Sequence, residues 1–225
     1  MGTYQTFNLD ANSAKQADAG GRIETTGKYV GVIKSMEFVT SKSGTQGFEI
    51  NFETDSKEFT NFTIWTVKAD GTPLSGVHKV NAILACVSVK SLTPTNQKLE
   101  KYDFDLKQKV QQPCVVAPEM TGKRIGLLLQ RENYLNGNGQ QRHQMNFSAS
   151  FHADSELMAK EILDRKTTPE LLPKALERLI ANGDSTRQQS NQATQPSSGY
   201  GQYGNQQHST GNTNQSNDLD DDLPF

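Results

Sequence analysis

The chain has 225 residues, of which 33% are apolar, and its formal net charge at pH 7 is −2. This length is sufficient for a buried core, while a mean hydropathy of −0.69 predicts that part of the chain does not fold. The sequence shows no apolar run of membrane-spanning length and no signal-peptide pattern. Its two cysteines, Cys86 and Cys114, do not have the spacing of a disulfide framework or of a zinc site. We therefore expect a cytoplasmic protein without a membrane span.

Three strands are predicted in the first part of the chain. Residues 28–39 form a β-branched and aromatic run that contains Gly31, and a glycine inside a strand indicates a bulge or a sharp bend. Residues 46–54 alternate between apolar and polar, and residues 59–67 form a third run of the same kind. Such alternation is typical of strands with one buried face.

A helix and a hairpin follow. Ser75 is a candidate N-cap, because apolar residues come after it at helical spacing. Residues 91–122 are polar and hold two short candidate strands. The turn residues 136–139 (Asn-Gly-Asn-Gly) predict a hairpin between strands at 123–135 and 141–151. Its core-facing residues are predicted to be Ile125, Leu127, Leu129, Met145, Phe147 and Phe151.

Two helical segments are predicted after the hairpin, near 155–165 and 170–182. Pro173 is expected in the first turn of the second, and Gly183 at its end. The apolar face of this second helix is predicted to consist of Leu172, Ala175, Leu176, Leu179 and Ile180.

The order of these elements is that of an OB fold. We therefore expect a mainly β protein with helices, in which residues 1–185 form a five-stranded barrel with a helix between strands three and four and a helical C-terminal extension. Any small barrel gives short alternating strands, so this pattern is not specific to one fold.

The remaining residues divide into a linker and an acidic end. From residue 187 to residue 217, 25 of 31 residues are Gln, Asn, Ser, Thr or Gly, so residues 186–217 are predicted to be a disordered linker. All four formal charges beyond Arg187 are the aspartates of residues 218–225. Without them, 23 basic residues face 21 acidic ones, which leaves a body with a charge of +2. This excess favours a nucleic-acid binder only if the basic residues cluster.

The part of the sequence that is predicted to fold contains no motif for catalysis or for cofactor binding. The four histidines are scattered, and no H-x-E, H-E-x-x-H, G-x-S-x-G or P-loop pattern occurs in the folded part. We therefore expect no enzyme, no cofactor and no metal, although catalytic groups can also assemble from distant positions.

Aromatic and basic residues on the predicted strands are typical of single-strand binding, which needs stacking surfaces for bases and cations for phosphates. Trp65 is predicted to share the outward side of its strand with polar Asn61 and Thr63, opposite Phe62 and Ile64. The alternative for Trp65 is an ordinary core tryptophan, and the alternative for the polar residues of the predicted hairpin is an ordinary solvated surface. The candidate DNA-binding residues are Trp65, Arg124, Tyr134, Arg142, Arg131, Lys34 and Lys28; Arg124 and Tyr134 are predicted to share one hairpin face and Arg131 to point the other way.

The last residues interleave aspartates with apolar side chains. A terminal phenylalanine offers a ring for an apolar pocket and a carboxylate for a basic clamp. The sequence DDDLPF resembles the C-terminal tip of bacterial single-stranded-DNA-binding proteins, which ends in acidic residues and Ile-Pro-Phe. The resemblance implies a docking site for partner proteins, formed by Asp220, Asp221, Asp222, Leu223, Pro224 and Phe225.

The body of the chain resembles a family of phage single-stranded-DNA-binding proteins. That family implies an OB fold, a location in the cytoplasm of the host bacterium, and a role in DNA replication, recombination or repair. The resembling stretches are GKYVGVIKSMEF (27–38), SKSGTQGFEINFET (41–54), NAILACVSVKSLT (81–93), GKRIGLLLQREN (122–133) and FHADSELMAKEIL (151–163).

The hypothesis from the sequence is a non-catalytic protein that binds and protects single-stranded DNA without sequence preference. Its tip would recruit replication, recombination and repair proteins, and self-association is left open. The alternatives are a strand-annealing recombination mediator, a nuclease, and an adaptor whose barrel binds protein.

Overall fold

A computed structural model describes residues 8–11, 20–103 and 106–187 of the chain. The predicted tip at 218–225 and nearly all of the predicted linker lie outside the described residues. No helix among the residues described is both long enough and apolar enough to cross a membrane.

The described part is mainly β with a few helices, as predicted. Its strands are β1 (Gly27–Thr40), β2 (Gln46–Thr54), β3 (Phe59–Val67), β4 (Thr95–Asp103), β5 (Gln108–Val116), β6 (Arg124–Leu135), β7 (Gln141–Phe151) and β8 (Ser185–Thr186). Its helices are α1 (Gly76–Cys86), α2 (Ala159–Leu163) and α3 (Leu171–Asn182), with a 3-10 turn at Pro118–Met120.

Strand β1 is the centre of one antiparallel sheet. It pairs with β2 along most of its length, with β6 through its first half, and with β5 at Glu37. The strand order is β3-β2-β1-β5-β4, while β6 carries β7 and, in parallel, the short β8. In the described sheet no ladder joins β3 to β7, so the barrel is not closed and the OB fold stays a prediction.

The hairpin β4–β5 is the largest departure from the predicted elements. Two short candidate strands were expected within 91–122, and the structure has two nine-residue strands there. Their sequences show no apolar alternation because most of their side chains are exposed. This hairpin therefore gives little signal in the sequence.

The main core lies between the inward face of the sheet and α1. Met36, Phe52 and Ile83 are among its fully buried members. Helix α1 packs directly on β3, since a Cβ at Gly76 would lie 1.9 Å from the carbonyl oxygen of Trp65. Ser75 precedes this helix as predicted, but its side chain makes no capping hydrogen bond.

The bulge predicted at Gly31 lies elsewhere. The β1–β2 register shifts between Ile33 and Ser35. Gly31 instead permits a close approach of the two strands, because a Cβ there would lie 2.1 Å from the carbonyl oxygen of Glu53.

A second, smaller core forms where α3 crosses the sheet, and it corrects one prediction. Phe151 was expected to face the main core with Phe147, but it packs with Leu128 and the buried leucines of α3. The β6–β7 register shifts between Leu128 and Leu129, and this irregularity reverses the alternation of β7. Ile180, predicted on the apolar face of α3, is 56% exposed.

Candidate nucleic-acid interface

The side of β1–β3 that points away from the main core forms a continuous polar surface, here called the outer face. Across β2 and β3, Asn51 pairs with Asn61, Glu49 with Thr63, and Gly47 with Trp65. These pairs form parallel rows, because paired residues in an antiparallel sheet project to the same side. The outer face comprises Ser35, Glu37, Gly47, Glu49, Asn51, Glu53, Phe59, Asn61, Thr63 and Trp65.

Trp65 lies on the outer face and is half-buried, whereas its neighbours Ile64 and Thr66 are buried. The indole lies against Gly47, where a Cβ would be 2.9 Å from the Cε3 atom of Trp65. The structure thus favours a surface tryptophan over the alternative of a core tryptophan. The glycine gives the ring a flat backbone to lie on.

Phe59 is an outer-face aromatic that was not among the predicted site residues. It is 48% exposed, and the guanidinium of Arg22 lies 6.0 Å from its ring centroid. Arg22 also donates a hydrogen bond to Asn61 Oδ1 at 3.4 Å. Phe59 lies six residues before Trp65, so counting in twos along the strand would have placed both rings on one side, roughly 20 Å apart.

Arg124 and Tyr134 are not brought together, although both lie in β6. Ten residues of strand separate them by about 33 Å. The two Nη atoms of Arg124 donate to the two carboxylate oxygens of Asp55, each at 2.8 Å, and Asp154 lies 3.5 Å from its Nε. The Arg124 guanidinium is therefore held by protein carboxylates.

A basic and aromatic cluster lies at the far end of the β6–β7 hairpin. Tyr134 is paired across the strands with exposed Arg142. The guanidinium of Arg187 lies 5.5 Å from the Tyr134 ring centroid and forms an ion pair of 2.9 Å with Glu132. This arrangement unites two predicted site residues, Tyr134 and Arg142, with a third, Arg187, that the prediction did not include.

The other predicted cations have structural partners. Arg131 points to the opposite face from Tyr134, as predicted, and donates to Asn133 Oδ1 at 3.0 Å and to the carbonyl oxygen of Glu24 at 3.1 Å. Lys34 lies 3.6 Å from Glu53.

Lys28 is likewise engaged. It forms an ion pair with Glu156 and lies 5.4 Å from the ring centroid of Phe151. The partners of Lys28, Arg124 and Arg131 come from distant segments, so sequence reasoning did not find them.

No protein-family model matches the chain, and no curated protein matches its sequence. Within the described ranges, no group of three His, Cys, Asp or Glu side chains is placed to hold a metal ion.

Proposed function

We propose that this chain binds single-stranded DNA without sequence preference, and that the outer face receives the strand. The observation that carries the proposal is the pair of aromatic rings, exposed Phe59 and half-buried Trp65, on one side of β3. Polar Asn61 and Thr63 lie between the rings and can hydrogen-bond a strand that stacks on both. Such stacking is sequence-tolerant, because every base has a π face.

An OB fold is part of this proposal. Helix α1 lies between β3 and β6 in the chain, and β1 is shared between β2 and β6. Strand β3 also lies beside β7. When the β4–β5 hairpin is left out of the count, these are the third and fifth strands, which lie next to each other where an OB barrel closes. The β4–β5 hairpin is then an insertion between the helix and the fourth strand.

A salt titration of oligonucleotide binding tests the function. We expect a single-stranded oligonucleotide to bind more tightly than the matching duplex at every salt concentration. The logarithm of its affinity should fall linearly with the logarithm of the salt concentration, by about 0.7 for each phosphate contact. Absence of binding at low salt, or a preference for duplex, would reject the proposal.

Recruitment of partner proteins through residues 218–225 is the second part of the proposal. It is supported by the resemblance of DDDLPF to the bacterial tip and by the chemistry of a terminal phenylalanine. We expect Phe225→Ala to abolish the capture of replication and recombination proteins from a bacterial extract, because the apolar pocket of the partner loses its ligand.

The matched control is Tyr203→Ala, which removes an aromatic ring from the linker. This control should leave capture intact, and both variants should bind oligonucleotides as the unaltered chain does. Undiminished capture by Phe225→Ala would exclude the tip as the docking element.

A further inference from the structure

The β4–β5 hairpin is joined to the sheet at its base, and its described residues, 95–103 and 106–116, are here called the arm. Its two strands pair with each other along their whole lengths. Described ladder pairing between the arm and the rest of the sheet is confined to Glu37 and Val116. Next to this pair, the Ala117 N–H donates to the carbonyl oxygen of Met36 at 2.8 Å. The arm therefore has a narrow attachment about which it can pivot.

The distal part of the arm bends toward the outer face at Glu37. Lys101 is paired with Val110, six residues along β5 from Val116 at the base, so a straight arm would carry Lys101 roughly 20 Å away from Glu37. Instead, Lys101 Nζ lies 2.6 Å from Glu37 Oε2. This ion pair is the contact that fastens the distal part of the arm to the body.

Lys101 meets two carboxylates on the outer face. Glu37 and Glu49 are paired across β1 and β2, and the side chain of Glu37 is only 10% exposed. Burial raises the pKa of Glu49, against the lowering effect of Lys101. For Lys101, burial lowers the pKa, but Glu37 and Glu49 outweigh this effect and the net direction is upward. Lys101 thus stays charged and offsets part of an otherwise anionic surface.

Open space lies between the base of the arm and the sheet. A cleft of about 330 Å³ is lined by Phe38, Val39, Gly47 and Phe48 from β1 and β2, and by Pro94 and Val115 at the arm. Phe38 and Phe48 pack against the main core, so this cleft opens on the core side of the sheet, opposite the outer face.

We propose that the arm is a hinged clamp on the DNA strand, in which Lys101 exchanges the Glu37 carboxylate for a backbone phosphate. This inference rests on the proposed function of the outer face. Without DNA, the ion pair between Lys101 and Glu37 holds the arm at the outer face and shields the carboxylates of Glu37 and Glu49. When a strand enters, its phosphate replaces Glu37, and the arm closes over the strand.

Hydrogen exchange of the free protein tests, without DNA, whether the ion pair between Lys101 and Glu37 holds the arm; this ion pair is here called the latch. Glu37→Gln and Lys101→Gln should both speed amide exchange within β4 and β5, because the distal arm loses its ion pair. The matched control is Glu100→Gln, which removes an exposed ion pair of 3.1 Å between Glu100 and Lys109 on the same hairpin. Unchanged exchange in both latch variants, or an equal increase in the control, would overturn the latch.

Oligonucleotide binding tests the exchange of partners. Lys101→Gln should weaken binding about tenfold and reduce the salt slope by about 0.7, because one phosphate contact is lost. Glu37→Gln should tighten binding about threefold, because Lys101 no longer has a competing partner. Lys109→Gln is the control for loss of a lysine from the arm.

The two proposals fail in different ways. If the unaltered chain binds DNA but Lys101→Gln matches Lys109→Gln in affinity and slope, the clamp is wrong and the function stands. If the unaltered chain does not bind single strands at low salt, the function is wrong, and the clamp loses its ligand whatever the exchange data show.

Discussion

Replacing Trp65 by alanine is expected to weaken binding of a single-stranded oligonucleotide about tenfold to hundredfold. Stacking of one base on an aromatic side chain contributes about 1–3 kcal/mol. Trp65 is half-buried on the outer face and is not part of either core cluster, so its removal should leave the fold intact. Phe59→Ala should act in the same direction, and its effect should add to that of Trp65→Ala because the two rings are far apart.

Two measurements make this prediction decisive. Trp65 is the single tryptophan of the chain, so quenching of its fluorescence by DNA reports this site directly. Leu163→Ala is the control, because it truncates a large apolar side chain that is 74% exposed on α2, away from the outer face. Unaltered affinity of a normally folded Trp65→Ala protein would exclude the outer face as the stacking surface.

Truncation of Glu161 is expected to have the largest effect on stability. This carboxylate is fully buried and accepts hydrogen bonds from three backbone N–H groups, those of Met158 at 2.9 Å, Glu170 at 2.6 Å and Leu171 at 2.9 Å. Glu161→Ala leaves these three donors, at the starts of α2 and α3, unsatisfied and should lower the free energy of unfolding by on the order of 3 kcal/mol. Urea denaturation measures it, with exposed Glu177→Ala as the control.

The same carboxylate should make stability depend on pH. Burial raises the pKa of Glu161, but its three backbone donors outweigh burial and the net direction is downward. A lowered pKa means that the stabilisation is present above the unfolded-state value of about 4.3 and is lost as the pH falls through the lower folded-state value. The difference between Glu161→Ala and the unaltered chain should therefore shrink in acid. A difference that is constant between pH 7 and pH 3 would contradict this assignment.

Elements with one buried face were predictable from the sequence, and the others were not. The alternation of β2 and β3 and the Asn-Gly turn after β6 follow from local chemistry, and the structure confirms them. Of the described side chains of the arm, only Cys114 and Val116 at its base are buried, so most of its sequence resembles that of a polar loop. Phe151 was placed on the wrong side because one register shift, which leaves no mark in composition, reverses every later residue of the strand.

The candidate site, like the fold, was only partly predictable from the sequence. Alternation alone puts Trp65 on the outward side of β3, and it would also have identified Phe59. The roles of the cations depend on partners distant in sequence, such as Asp55 for Arg124 and Glu37 for Lys101. Residue type and spacing give no information about such pairs.

The contacts of β8 and Arg187 fix the point from which the rest of the chain departs. Ser185 and Thr186 pair with β6, the Arg187 N–H donates to the carbonyl oxygen of Asn133 at 2.9 Å, and the Arg187 guanidinium lies over Tyr134. If residues 188–217 form the flexible linker that their composition predicts, their root-mean-square span is roughly 30 Å. A protein bound at the tip would then be tethered to the end of the β6–β7 hairpin at an effective concentration on the order of millimolar. While the tip holds the partner, even a weak second contact between that partner and the body of the chain would therefore form.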